Sequence, residues 1–196
     1  MSERAAIAVA IECAGWARTL PDAALLAEKA ARAALRAARR DGAALPRGLE
    51  LGVTLSDARH LRALNRDWRR KDAPTNVLAF PAYAPAELAR LAGPGRRVGP
   101  AAIGDVIIAY EVVREEAAAQ GKRVRDHLAH LAIHGTLHLL GYDHARASDA
   151  RRMEALEIAV LAGLGMGDPY RAPRARGNGA ARVPRLRAGG KRRPNG

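Results

Sequence analysis

Apolar residues along the chain fall into two periods, near 2 and near 3.6, and the switches between them predict a succession of strands and helices. Ala5–Glu12 alternates loosely and reads as a first strand; the apolar stretch from Ala5 to Ala17 as a whole reads as strand plus turn. Pro21–Arg40 carries Leu25, Leu26 and Leu35 among Ala and Arg, a helix of strong intrinsic propensity broken by Gly42 and Pro46. Leu49–Leu55 alternates as a second strand. Ser56 is placed to cap the next helix, one face of which is marked by Leu61, Leu64 and Trp68. Asn76–Phe80 is a short strand between Pro74 and Pro81, and 84–100, rich in Pro and Gly at its end, reads as a surface loop. Ile103–Tyr110 is a further strand, and Glu111–Gln120 opens a helical region. A long amphipathic helix is expected over Arg123–Leu140, stopped by Gly141. A last helix follows over about Ala147–Leu164, with Met153, Leu156, Val160 and Leu164 inward. The elements make one α+β domain over 1–170.

Charge divides the 196 residues differently. The net charge is +13, but residues 171–196 alone hold eight Arg, Lys191 and no acid. That segment is also dense in Gly and Pro, so it is expected to be a disordered basic tail on a mildly basic domain. A basic balance favours a polyanionic partner. Only four of the 33 cations are Lys, an Arg bias that Ala-rich, GC-rich coding would also produce. Seven aromatics in the whole chain offer no obvious platform for stacking bases. No run of 18 apolar residues is present, so no membrane span is expected. The apolar start is interrupted by Glu12, follows only Arg4 and has no cleavage site, which argues against a signal peptide. Cys13 is the sole cysteine, so no internal disulfide can form and a reducing compartment fits.

The chemistry is concentrated in the long helix. His127, His130, His134 and His138 fall within an arc of roughly 80° at about 100° per residue, so they share a face. His134 and His138 stand one turn apart, a spacing that lets two imidazoles hold one metal. Gly141 breaks the helix and His144 follows, giving H-x-x-x-H-x-x-G-x-x-H, in which a glycine turn lets a third His close the set. Three His ligands leave a position open, as catalytic zinc sites do. His127 and His130 read instead as supporting or wall residues, and His60, alone on another helix, as exposed. Zinc peptidases carry Glu directly after the first His; here that position is Gly135, which removes the proton acceptor of that chemistry. Asp143, Asp105 and Glu154 are the carboxylates that could replace it.

At these residues the chain resembles the YbeY family, zinc-dependent endoribonucleases of ribosomal RNA maturation. Leu64–Pro81 (LNRDWRRKDAPTNVLAFP) is similar to that family's L-N-x-x-Y-R-x-K-D-x-P-T-[DN]-V-L-S-F-P segment, and Ile103–Ile108 (IGDVII) to its L-G-D-I-x-I strand. Ala129–His144 (AHLAIHGTLHLLGYDH) matches the metal segment throughout, and Met153-Glu154 stands where a Met-Glu pair follows it. The four motifs occur in order over about residues 50–160. Trp68 replaces the usual Tyr and Ala79 a common Ser; neither is a candidate ligand.

The resemblance implies a zincin-like α+β fold: a small mixed sheet with packed helices and the metal site on a long helix plus the following turn. It implies one Zn2+ held by His134, His138 and His144, with Arg69 as a basic residue of RNA processing. It further implies a cytoplasmic, single-strand-specific endoribonuclease of 16S rRNA 3′-end maturation and ribosome quality control, with ribosomal RNA and the ribosome as partners. Independently of the family, the cations Arg66, Arg69, Arg70 and Lys71 are suited to hold a phosphodiester, although such runs are usually solvated surface.

Overall fold

A computed structural model describes residues 5–93 and 100–171; the basic tail, apart from Arg171, lies outside the described residues. Four strands form one mixed sheet: β1 (Ala6–Ile11), β2 (Leu49–Ser56), β3 (Val77–Pro81) and β4 (Ala101–Ala109), in the order β1-β2-β4-β3. β1, β2 and β4 run parallel and β3 antiparallel to β4, so β3 is an edge. Seven helices accompany the sheet among the described residues: α1 (Ala14–Thr19), α2 (Ala23–Arg40), α3 (Ala58–Arg69), α4 (Pro85–Leu91), α5 (Tyr110–Ala119), α6 (Val124–Leu139) and α7 (Ala147–Gly163).

Alternation decides which face of the sheet is which. Leu49, Leu51, Val53 and Leu55 of β2, with Val106 and Ile108 of β4, lie in the main core with α2, α6 and α7. On the other face Leu61 of α3 packs with Leu78 and Ala109 in a smaller core, joined at its rim by Phe80 and Ile107. α2 meets the core through Ala23, Ala27, Ala30, Ala31, Ala34 and Ala38, all fully buried. Side chains this small let α2 lie close against α6. No helix among the described residues is long and apolar enough to cross a membrane.

Several expectations are corrected. The 84–100 stretch contains α4, which starts on Pro85; the Glu87 carboxylate accepts from the Ala84 N–H at 2.8 Å, and Leu88 is buried. Residues 14–19 form a helical turn, fixed by Trp16, whose buried indole donates to the Ser56 carbonyl at 3.2 Å. The cap of α3 is Asp57, accepting from the His60 N–H at 2.8 Å, while Ser56 ends β2 and its hydroxyl donates to Glu12. Trp68 shares a helix face with Leu61 and Leu64 by spacing, but α3 runs past the small core, and Trp68 is 72% exposed. α6 is not amphipathic but central, buried around most of its girth, with its histidines as the chief polar strip. On α7, Met153 and Val160 are buried as expected, Leu156 and Leu164 only partly, and Glu157 takes a fully buried place on that face.

Candidate metal centre

α6 packs on β4 and β3 so closely that an added Cβ at Gly135 would stand 2.5 Å from Val106 Cγ1. The residue after the first histidine is thereby turned into the sheet, and not even a methyl group fits there without displacement. Six residues on, Gly141 has φ +88°, a left-handed conformation that suits glycine, and the chain reverses to bring His144 back over the helix end.

His134, His138 and His144 come together. Their rings stand 4.5 Å (134 to 138), 5.3 Å (134 to 144) and 5.5 Å (138 to 144) apart between centroids, and one nitrogen of each lies within 4.8 Å of the others. Nε2 of His134 and Nε2 of His138 face one another at 3.0 Å. His134 and His138 are half-buried and His144 is exposed, so the trio opens to solvent on one side. Burial and the neighbouring His134 and His144 push His138 down to about 4, which keeps its imidazole neutral near pH 7.

Behind this trio stands Glu157, fully buried at 0% exposure. Its Oε1 accepts from His134 Nδ1 at 2.8 Å and its Oε2 from His130 Nε2 at 3.1 Å, with the Tyr170 hydroxyl donating to the same Oε2. Burial alone would raise this carboxyl, but the hydrogen bonds from His130, His134 and Tyr170 outweigh it and hold it at about 2. With Nδ1–H of His134 committed to Glu157, its Nε2 must present a lone pair toward His138 and His144. A tetrahedral cation bonded at about 2.0–2.1 Å would set two nitrogen ligands about 3.3–3.4 Å apart, near the 3.0 Å between the His134 and His138 nitrogens. The donor set therefore fits a metal ion.

Beside the histidines runs a cleft of about 720 Å3, bounded by Val77 of β3 and Asn76 just before it, Glu116, His127, His130 and Tyr170 among others. His127 is buried and bonded through Nε2 to Glu116 at 2.7 Å; Asn76 holds the same carboxylate. Burial lowers the pKa of His127 despite that carboxylate. Arg69 is not brought to this cleft. It ends α3 on the opposite face of the sheet, across the β3 edge, and is exposed. His60 is half-exposed, with Nδ1 2.9 Å from the Ser56 hydroxyl. Of the three carboxylates considered, Glu154 lines the cleft. Asp143 is bonded to the His144 N–H, and Asp105 lies on the other sheet face beside Gly52. Glu157 and Tyr170 were missing from the sequence reading; a Glu one turn after Met153, inside an apolar stripe, is the signal that points to the first.

Known proteins bear on this geometry. Residues 18–165 match the family model described as endoribonuclease YbeY. This chain belongs to that family. A protein named endoribonuclease YbeY from Azorhizobium caulinodans is 50% identical over 167 residues, which is 85% of this chain and 97% of the relative. One of the same name from Paramagnetospirillum magneticum is 45% identical over 165 residues, covering 84% and 94%. Among solved structures, a solution structure from Thermotoga maritima covers 84% of this chain and 99% of its own at 21% identity and a TM-score of 0.48.

Proposed function

We propose that this chain, an endoribonuclease by family, cleaves single-stranded RNA in ribosomal RNA maturation with one zinc ion held by His134, His138 and His144. The observation that carries the reading is the convergence of three imidazoles, one of them fixed from behind by a buried carboxylate, in a member of that family. Imidazoles alone suit zinc, and zinc with three of them keeps a position open for chemistry. Bound there, the metal supplies Lewis acidity toward the phosphodiester. The protein's own groups do the rest. Glu157, clamped by His130 and Tyr170, orients His134. Arg69 reaches RNA from the far side of the β3 edge, its planar guanidinium matching two phosphate oxygens. Ribosomal RNA within the ribosome is the substrate, and the cytoplasm the compartment, where the single thiol Cys13 stays reduced.

A zinc peptidase uses similar ligand spacing, but the packing of Gly135 on Val106 leaves no place for its glutamate. One preparation assayed on RNA and on casein, with metal content measured, tests the proposal. The expected result is one zinc per chain, cut RNA and intact casein. His144→Ala, a change at an exposed position, loses zinc and cleavage while keeping its circular dichroism. Arg69→Ala keeps its zinc but cuts RNA more slowly, and Arg69→Lys recovers part of the rate. Full zinc occupancy in His144→Ala, or hydrolysed casein, would sink it.

A further inference from the structure

The largest exposed aromatic among the described residues has no part in the histidine site. Trp68 stands at the end of α3 with 72% of its surface in water, whereas tryptophan is mostly buried in folded proteins. It is not loose. Phe80 meets its ring edge to face, with centroids 5.8 Å apart and planes at 68°, and Phe80 itself is seated on the small core of Leu61, Leu78 and Ala109. The indole is thus braced on one side and open on the other, which lowers the entropy lost when a planar ligand stacks on it.

The ground around it is cationic and held in shape. Arg62 and Arg66 are engaged by Asp72 and Asp67, the two acids of the patch. Among the described residues, Arg69, Arg70 and Lys71 have no carboxylate partner. Arg70 has φ 58°, the single non-glycine residue with a left-handed backbone among those described. A glycine would adopt that conformation at lower cost, so the corner holds its cation at some backbone expense. The corner is pinned: the Arg70 N–H donates to Arg66 O at 3.1 Å and the Lys71 N–H to Asn65 O at 3.2 Å. Buried Asn65 donates to Ala73 O at 2.8 Å.

We propose that Trp68, backed by Phe80 and flanked by Arg69, Arg70 and Lys71, is a stacking subsite for one unpaired nucleobase of bound RNA. The inference rests on the endoribonuclease reading for its choice of ligand. Its own support is physical. An aromatic face beside cations is complementary to a base with its phosphate, and every base presents a π face whatever its sequence. The position also suits a substrate that rounds the sheet edge. Val77 lines the histidine cleft on one side of β3, and Phe80 carries Trp68 on the other. A flexible single strand can bend over that edge and turn one base outward, whereas a duplex keeps its bases stacked on each other.

Trp68 supplies the signal once a Trp16→Phe variant removes the emission of the other, fully buried tryptophan. The full-length, metal-loaded protein is titrated at fixed salt with a 2′-O-methyl RNA single strand, with an abasic chain of equal charge, and with a blunt duplex. The single strand is expected to quench Trp68 and the abasic chain to bind without quenching. Trp68→Ala should weaken single-strand binding by about 5- to 150-fold, the range for losing one stacked base, and leave abasic binding unchanged. Trp68→Tyr should restore most of the loss. Equal quenching by the abasic chain, tighter binding of the duplex, or unaltered affinity in Trp68→Ala would overturn the subsite. Cleavage of unmodified RNA by the same preparation is followed in parallel. Cleavage without base-dependent quenching defeats this inference alone; base-dependent quenching without cleavage defeats the ribonuclease reading and keeps the subsite.

Discussion

A fully buried carboxylate is costly unless its lone pairs are filled, and Glu157 is buried completely with three side-chain donors converging on it. The arrangement fixes the tautomer of His134: the proton sits on Nδ1, and Nε2 is left to bind. Replacing the acid by its amide keeps the volume but loses the charge and presents an NH2 group where both contacts were acceptors. Glu157→Gln is therefore expected to lower zinc affinity by about 10- to 100-fold, the usual effect of losing a carboxylate behind a ligating histidine. Competition of the metal-loaded protein with a chromophoric chelator measures this directly and does not depend on turnover. Tyr170→Phe removes one donor of the three and should weaken the metal by less. If Glu157→Gln bound zinc as the wild type does, the carboxylate would be a core filler and the tautomer of His134 would be set elsewhere.

At the level of elements, what places the histidines is how near α6 lies to the sheet. Adding a methyl group at Gly135 must push against Val106, so Gly135→Ala should destabilise the fold by about 1–3 kcal/mol, the usual cost of overpacking a filled core. Val106→Ala in the same chain should return part of that loss, because it removes the two methyl carbons nearest the new Cβ. Urea unfolding of the two single variants and the double variant tests the pair; strictly additive losses would show that α6 is positioned by other contacts. The same nearness explains what was legible beforehand. The meeting of His134, His138 and His144 could be read from the sequence because a helix period and a glycine stop are local properties. β1 and β2 were legible through alternation. α4 was not, because its Pro and Gly surroundings signal a loop while its stability comes from Leu88 in the core and Pro85 against Gly141, contacts made only after folding. Glu157 was not legible because nothing local shows that α7 packs on α6 and turns residue 157 toward His134. Trp68 shares a helix face with Leu61 and Leu64 by spacing, and spacing does not show where a helix outruns the core it covers.

Over the whole molecule the positive charge is concentrated at one end of the sequence, away from the histidines. The three histidines, Glu157, Arg69 and Trp68 all precede residue 171, and among the described residues Tyr170 is the last side chain bonded to Glu157. Beyond Arg171 the sequence carries eight cations, no acid and no His or Cys. We infer that this tail adds electrostatic grip on RNA and nothing to the reaction. Each cation that neutralises a phosphate of single-stranded RNA contributes about 0.7 to the slope of log affinity against log salt. If about half of the eight engage, ending the chain after Arg171 should flatten that slope by roughly 3 units, which is about two decades of salt-dependent affinity between 50 and 200 mM. Zinc content and turnover at saturating RNA should stay as they are, since the cut leaves Tyr170 on Glu157. Placing it after Arg171 matters, because a shorter chain would disturb the centre and confuse affinity with chemistry. Binding titrated at several salt concentrations for both lengths decides the matter. Parallel salt plots would mean that the tail does not touch RNA, and the +13 of the intact chain would then have to be explained by a partner other than the substrate.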